Sequence, residues 1–232
     1  MIPKRMVKWS VVAAFGVQRR MYSGPETIRS FFELFPKTFP KAGPPRESFI
    51  VDQRKLRKEL RSLQGQHHPD VAVQAAVAGS SKDVVASDDG VSALLNKAYS
   101  TLRNPYTRIA HIIQVNHPEH LDITEDDVSK ALIAKFSSSS DESSLEYKSM
   151  LMSVMEAHEA LDFAGSEEDI EGLEEENNAK ILESEQLIES LLQKSPPDWD
   201  TLMMEAIKLK YWVNISNAVK EWEPGKPVNL TH

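Results

Sequence analysis

Two imidazoles and a carboxylate lie within the four consecutive residues His67, His68, Pro69 and Asp70. Such side chains coordinate divalent cations, so one hypothesis is a small metal-dependent hydrolase that uses His67, His68 and Asp70. Adjacent histidines tend to point apart, however, and neither an HExxH pattern nor a second group of ligands accompanies them. The chain also has no cysteine, which excludes thiolate metal sites and cysteine nucleophiles. We therefore predict no bound metal and no cofactor.

Pro69 favours a different interpretation of the tripeptide His68-Pro69-Asp70. Proline fixes its own φ and pushes the residue before it away from helical geometry, so we expect an exposed loop that presents an imidazole and a carboxylate. Residues 71–90 are small and polar, which predicts a long loop after the tripeptide. Three letters match by chance too often to identify a function, so the flanking segments must decide it.

The helix predicted before the tripeptide has two different sides. Asp52 has the residue type and position of its N-cap. One side carries leucines at spacings of four and three, and the opposite side carries basic residues at the same spacings. A solvated charged side would explain the second set, but three charges of one sign on an acidic protein favour an acidic docking partner. The two sets are Leu56, Leu60 and Leu63, and Arg54, Lys58 and Arg61.

The segments farther out also have regular patterns. A phenylalanine-rich group at 28–35 predicts a first helix, and the proline-rich stretch 36–45 predicts a loop. Beyond the long loop, Asn104 and Pro105 have the residue types of an N-cap and a first-turn position, so they separate two more helices. Their apolar stripes are Val91, Leu95, Ala98, Tyr99 and Leu102, and then Ile109, Ile112 and Ile113.

An aromatic-rich first helix, a basic second helix, His-Pro-Asp and a third helix containing Leu95-Asn96-Lys97-Ala98-Tyr99 resemble the J-domain of DnaJ-type co-chaperones. The resemblance covers residues 28–115. In that family, the tripeptide and the basic helix dock on a DnaK-type chaperone and stimulate its ATP hydrolysis. The resemblance implies a stimulating role for His68, Pro69 and Asp70. It also implies a docking face formed by Arg54, Lys58 and Arg61.

The second half of the chain predicts a helical bundle. Residues 116–144 are polar and contain a serine run, which predicts a linker. Helical patterns follow at 145–163 and 167–194, and Ser195-Pro196-Pro197 then breaks the chain before a third helix that Asp198 caps and that runs to about Trp222. Their lengths and short connections favour an antiparallel three-helix bundle.

The first and last of these helices carry apolar residues on two sides rather than one. A helix in a small bundle needs only one buried side. The other side therefore belongs to a wider core, packs against the J-domain, or stays open for a partner. Its methionine and aromatic residues suit protein recognition. The second sides comprise Leu151, Met152, Met155 and Glu159, and Met203, Ile207, Tyr211, Ile215 and Trp222.

A J-domain followed by an acidic C-terminal bundle is similar to the HscB-type co-chaperones of iron–sulfur cluster biogenesis. The segments FELFPKTFP at 32–40, LKYW at 209–212 and WEPGK at 222–226 look most like the fungal mitochondrial members. In that family, apolar residues on the first and last bundle helices bind the cluster scaffold protein. The zinc module of some relatives is absent, because the chain has no cysteine. The implied scaffold-binding residues are Leu151, Met155, Glu159, Ile207, Tyr211 and Met150.

The first 22 residues differ in charge from the remainder of the chain. They hold five basic residues and no acidic one, whereas the remainder holds 22 basic and 35 acidic residues. This composition is typical of a mitochondrial transit peptide, with cleavage expected after Tyr22. A disordered basic tail and a short secretory signal stay open as alternatives. The acidic body argues against nucleic-acid binding. Because no apolar run approaches the roughly 18 residues of a membrane span, we expect no stable membrane association.

These patterns together predict an all-α protein with a transit peptide (1–22), a J-domain (23–116), a linker (117–144) and a C-terminal three-helix scaffold-binding domain (145–232). We expect a co-chaperone of the mitochondrial matrix that is not itself an enzyme. It would bind the iron–sulfur cluster scaffold protein, deliver it to a mitochondrial DnaK-type chaperone, and stimulate the ATPase of that chaperone to promote cluster transfer. The alternative function is a general mitochondrial J-protein for unfolded clients.

Overall fold

The computed structural model of this chain describes residues 30–66, 85–139 and 141–225. Within these ranges the fold is all-α, as predicted, with seven α-helices after a 3₁₀ turn at Phe31–Leu34. None of these described helices is both long enough and apolar enough to cross a membrane. The helices are α1 (Gln53–Gln66), α2 (Val85–Arg103), α3 (Pro105–Asn116), α4 (Asp126–Ser139), α5 (Asp141–Phe163), α6 (Glu167–Leu192) and α7 (Trp199–Glu221).

Side-chain caps confirm three of the predicted helix starts. Asp52 Oδ1 accepts hydrogen bonds from two backbone amides in the first turn of α1, at 2.9 and 3.0 Å. Asn104 caps α3 in the same way, with Pro105 in the first turn, and Asp198 caps α7. These caps satisfy amides that have no acceptor inside the helix, which explains why the helices begin at these residues.

The N-terminal unit consists of the 3₁₀ turn and α1–α3. α1 and α2 run antiparallel, because Gln64 Nε2 donates to Asn96 Oδ1 at 2.8 Å while Gln53 Nε2 donates to the carbonyl of Arg103 at 2.9 Å. This pairing joins the end of α1 to the middle of α2 and the start of α1 to the end of α2. The antiparallel packing of α1 on α2 therefore determines which side chains of α1 point away from α2.

The aromatic group before α1 packs against α3 and is hydrogen-bonded to it. The amide of Phe31 donates to Nε2 of His111 at 2.9 Å, and the two rings stack with their centroids 4.3 Å apart. Over the described residues this group forms one 3₁₀ turn, so the predicted first helix is present only as that turn. The proline-rich segment that follows contains no helix, as predicted.

Two segments that the sequence patterns assigned to a loop and to a linker are partly helical in the structure. α2 begins at Val85, so residues 85–90 are helical rather than part of the predicted loop 71–90. The predicted linker 117–144 is wrong for its second half, because it contains α4, whose Leu132 and Phe136 are buried. The serines around this apolar pair interrupted the helical pattern in the sequence.

Helices α5–α7 form the predicted three-helix bundle, called the bundle below. α6 and α7 are antiparallel: Asn177 Nδ2 donates to the carbonyl of Trp212 at 2.9 Å, and Ser184 Oγ donates to Glu205 Oε1 at 2.7 Å. α4 packs against α5 and α7. The bundle therefore has a fourth helix on one side, which the sequence patterns did not indicate.

One buried core runs from the N-terminal unit into the bundle, because α3 packs along α7. A second, smaller core lies within the bundle itself. Burying a large aliphatic or aromatic side chain is worth about 1.5–3 kcal/mol, so parting the two units would cost several such contributions. The common core includes Phe35, Leu56, Ile109, Leu191 and Leu209, and the smaller core includes Val154, Leu161, Ile170, Ile215 and Val219.

Candidate docking surfaces

The basic residues predicted on α1 are exposed along one side of the helix. Arg54, Lys58 and Arg61 are all exposed, and none of them forms an ion pair with another residue that the structure describes. We call these three residues the basic face. Their charges attract an acidic surface, and because they lie in water that attraction weakens as salt is added.

The opposite side of α1 holds the basic face in its orientation. Leu56 and Leu60 are buried in the common core. Glu59 is buried beside them, and its carboxylate accepts hydrogen bonds from the amide of Lys37 at 2.7 Å and from the amide and hydroxyl of Thr38 at 2.6 Å. A buried carboxylate needs such donors, so these bonds fix the rotation of α1 about its own axis.

The tripeptide His68-Pro69-Asp70 lies outside the described residues, as does His67. The described part of α1 ends at Gln66, so the tripeptide comes soon after this helix along the chain. Among the residues that the structure does describe, no group of three His, Asp or Glu side chains could hold a metal ion. The metal-dependent hydrolase hypothesis concerns His67, His68 and Asp70, and elemental analysis of the purified chain is its test.

Four of the six residues expected to bind the scaffold are accessible on the bundle. Met155 is 63% exposed and Glu159 is exposed, while Leu151 and Tyr211 are half-buried. Leu151, Met155 and Glu159 recur every four residues on α5, and Tyr211 comes from α7. We call these four residues the bundle face. It is an apolar patch across two helices with a carboxylate at one end, which suits the recognition of an apolar protein surface.

The other two residues expected at this site are buried. Ile207 is 2% exposed and lies in the common core, and Met150 is 6% exposed and lies in the core of the bundle. In this conformation neither offers a surface that a partner could cover. Their structural role is to support the bundle face from beneath.

A chain of polar contacts holds α5 against α7 and α6. Lys208 of α7 forms an ion pair with Glu146 of α5 and a second one, at 3.2 Å, with Glu205. Glu205 is buried and accepts the hydroxyl of Ser184 on α6. Burial lowers the pKa of Lys208, but hydrogen bonds and charges from Glu146 and Glu205 outweigh that effect and raise it. The lysine therefore stays charged at neutral pH and links the three helices.

The residue after Glu146 acts directly on the bundle face. The Tyr147 hydroxyl is hydrogen-bonded to Tyr211, and burial together with this contact raises the pKa of the Tyr147 phenol. Both rings pack against the core of the bundle. The phenol of Tyr211 is thus oriented by a side chain of α5, the helix that supplies the other three residues of the bundle face.

Three exposed apolar side chains of α5 were not among the expected site residues. Leu145, Met152 and Phe163 are 69%, 63% and 86% exposed. Leu145 and Met152 are seven residues apart and therefore lie on one side of the helix. That spacing is visible in the sequence, but periodicity does not separate an exposed apolar stripe from a buried one.

The comparisons with known proteins extend over both units. Residues 146–220 match the family described as HSCB C-terminal oligomerisation domain. The chain is 34% identical over 218 residues to the mitochondrial J-type co-chaperone JAC1 of Saccharomyces cerevisiae, across 93% of this chain and 97% of that protein. It is 26% identical over 204 residues to the iron-sulfur cluster co-chaperone protein HscB of Mus musculus, across 87% and 72% of the two chains. The solved structure of Jac1 from Saccharomyces cerevisiae superposes with a TM-score of 0.57 at 30% identity, across 86% of this chain and 97% of that one.

Proposed function

Because this chain belongs to the mitochondrial HscB-type family of J-type co-chaperones, we propose that it brings an iron–sulfur cluster scaffold protein to a DnaK-type chaperone in the mitochondrial matrix. In this proposal the chain itself performs no covalent chemistry. It stimulates ATP hydrolysis by the chaperone, which then closes on the scaffold and promotes release or transfer of the cluster. Residues 1–22 would direct import and be removed.

The accessibility of the bundle face is the observation that carries the proposal. Met155 is mostly exposed, and Leu151 and Tyr211 keep part of their surfaces in solvent, although each could have been sealed inside the bundle. At protein interfaces a few well-packed side chains supply most of the binding energy, and tyrosine is prominent among them. The name of the mouse relative, an iron-sulfur cluster co-chaperone, supports a cluster scaffold as the partner.

The basic face supplies the second contact in this proposal. Arg54, Lys58 and Arg61 are exposed on one side of α1, and His68-Pro69-Asp70 follows that helix along the chain. Complementary charge would steer an acidic chaperone surface onto α1 and leave the tripeptide to trigger hydrolysis. The two contacts lie on different helices of one body, so each can be removed without altering the other.

The proposal is tested with the chain lacking residues 1–22, the scaffold and the chaperone. We expect Leu151→Ala combined with Met155→Ala, or Tyr211→Ala alone, to weaken scaffold binding at least about tenfold, which corresponds to roughly 1.4 kcal/mol. Binding is measured by titration calorimetry and ATP hydrolysis by phosphate release. Stimulation of the chaperone in the absence of scaffold should not change.

The matched control is Leu182→Ala, which truncates another exposed leucine of the bundle, on α6. Full scaffold affinity in the bundle-face variants would contradict the proposed scaffold site. The general J-protein alternative makes its own prediction, namely that the chain suppresses aggregation of unrelated unfolded proteins. Such suppression together with undisturbed scaffold binding in the variants would favour that alternative.

A further inference from the structure

Among the described residues, one ion pair joins the N-terminal unit to the bundle, and its cation is Arg108. Arg108 of α3 is fully buried, although arginine is rarely buried unless it is paired. Its Nη1 donates to the carbonyl of Leu102 at 2.9 Å, and its Nη2 forms an ion pair with Glu185 of α6. The ring of Phe49 lies 4.5 Å from its Cζ. One guanidinium therefore contacts the end of α2, the segment before α1, and the bundle.

Burying the two charged groups of this contact away from water is energetically unfavourable. Burial lowers the pKa of Arg108 to about 10, while the charge and hydrogen bond of Glu185 act in the opposite direction. Burial also raises the pKa of Glu185, against the effect of Arg108. The Nε of Arg108 has no hydrogen-bond partner among the described residues. Because a well-packed apolar pair is often as stable as a buried ion pair, stability alone does not account for the two charges.

The directional character of the pair suggests what the charges contribute. The remaining contact between the units is mostly apolar and includes Ile109 and Ile113 of α3 in the common core. Apolar contacts are not directional, so they specify the relative orientation of two helices less strictly than a polar contact does. An ion pair to one carboxylate and a hydrogen bond to one carbonyl allow far fewer orientations.

We propose that Arg108 is a positioning residue that fixes the orientation of the N-terminal unit on the bundle. The basic face and the bundle face are then held at one distance and one angle. A further consequence rests on the proposed function: the scaffold is presented to the chaperone in a single geometry. Without the pair, each partner binds as before, but stimulation of the chaperone by the scaffold-loaded chain decreases.

The orientation can be measured without any partner, because the chain has no cysteine and introduced cysteines are the only thiols. Ser100→Cys on α2 and Asn178→Cys on α6 place spin labels at two exposed positions, one in each unit. We expect a narrow distance distribution by pulsed electron spin resonance. Glu185→Ala leaves the arginine unpaired and should at least double the width of the distribution. Glu183→Gln removes an exposed charge from the same helix and should leave the width unchanged.

A second variant keeps the test decisive if Glu185→Ala fails to fold. Arg108→Met combined with Glu185→Leu replaces the ion pair by apolar side chains, and we expect it to fold with a broadened distribution. A distribution as narrow as that of the wild type in this variant would overturn the proposal, because apolar packing alone would then determine the orientation. An unchanged width in a folded Glu185→Ala variant would overturn it equally.

The functional consequence has a separate readout. In the apolar variant, scaffold affinity and scaffold-free ATPase stimulation should stay within about twofold of the wild type, while stimulation by the scaffold-loaded chain should fall several-fold. Full stimulation alongside a broadened distribution would overturn this consequence and leave the positioning role of Arg108 intact. Loss of scaffold binding in the bundle-face variants is measured independently, so failure of the proposed function is distinguishable from failure of this inference.

Discussion

The basic face and the bundle face differ in how they are built. The basic face consists of long charged side chains on one helix, and all three are exposed. The bundle face consists of apolar side chains from α5 and α7 that are partly covered by their own bundle. The basic face requires only that α1 forms and packs its leucine side against the common core. The second depends on how two helices pack, so it is far more sensitive to changes beneath the surface.

The largest expected effect tests that sensitivity. Ile207→Ala removes a buried side chain from the common core and should lower the free energy of unfolding by about 2–5 kcal/mol. Urea denaturation measures this change, with the exposed Leu182→Ala as the matched control, for which we expect less than about 1 kcal/mol. Where the variant is still folded, scaffold affinity should fall as well, because Tyr211 of the bundle face packs against the core that Ile207 belongs to, although Ile207 itself offers no surface. A large loss of affinity with unchanged stability would instead make Ile207 a contact residue.

This difference also explains what could be predicted from the sequence. The caps Asp52, Asn104 and Asp198 and the opposite sides of α1 follow from local spacing, and the structure confirms them. The burial of Ile207 could not be predicted, because an apolar residue on the second side of a helix fits a core as well as a surface. Its exposure depends on where α3 packs along α7, which is a contact between distant parts of the chain.

Arg108 is a second residue whose burial could not be predicted from local sequence patterns, and in this case the residue is charged rather than apolar. It follows a capped helix start and precedes Ile109, so spacing alone makes it an ordinary charge near the start of an apolar run. Its partner Glu185 is 77 residues away, within a helix that is acidic on several sides. No local feature distinguishes that glutamate from its neighbours. Contacts between the units are therefore the part of this fold that sequence patterns leave undetermined.

The second prediction concerns acid. Lowering the pH should destabilise the N-terminal unit, which carries the basic face, through a group that the bundle does not contain. Burial lowers the pKa of His111, in the N-terminal unit, from 6.5 to about 4, with a smaller raising effect of Asp122 and a smaller lowering effect of Lys97. Between these values the unfolded chain binds more protons, so this contribution to stability is complete above pH 6.5 and is lost as pH falls toward 4. The loss should reach roughly 3 kcal/mol. Urea denaturation at several pH values measures it.

The control for this prediction is His111→Gln, which retains an acceptor for the amide of Phe31 but does not titrate in this range. Its stability should lack the part of the pH dependence that belongs to the imidazole. If the variant and the wild type lose the same free energy between pH 6.5 and 4, the acid sensitivity arises elsewhere, and His111 does not distinguish the N-terminal unit from the bundle.

The third prediction concerns the basic face and is intermediate in size. Replacing Arg54, Lys58 and Arg61 by alanine should weaken binding to the chaperone about tenfold at low salt and less at high salt, because exposed charges are screened. The free energy of unfolding should change by less than about 0.5 kcal/mol. Binding is measured by surface plasmon resonance at several salt concentrations.

A charge-matched control removes three exposed lysines elsewhere, Lys130, Lys148 and Lys194. It changes net charge by the same amount, so it separates the position of the charges from their number. Equal losses of chaperone binding in both triple variants would mean that overall charge, not the basic face, attracts the chaperone. In that case the basic face would not be a specific docking surface for the chaperone, and it could not be compared with the bundle face.

The smallest expected effect tests whether α5 orients the α7 side chain of the bundle face. Tyr147→Phe removes only the hydroxyl that is hydrogen-bonded to Tyr211 and keeps the ring packed on the core. A neutral hydrogen bond contributes about 0.5–1.5 kcal/mol to stability, so the free energy of unfolding should fall by about that amount. Scaffold affinity should fall roughly threefold by calorimetry, because the Tyr211 phenol is then less well oriented. Tyr99→Phe, in which the lost hydroxyl contacts Arg57 of α1, is the control. If both variants bind the scaffold equally, Tyr211 needs no support from α5, and the bundle face is less dependent on helix packing than its two-helix construction implies.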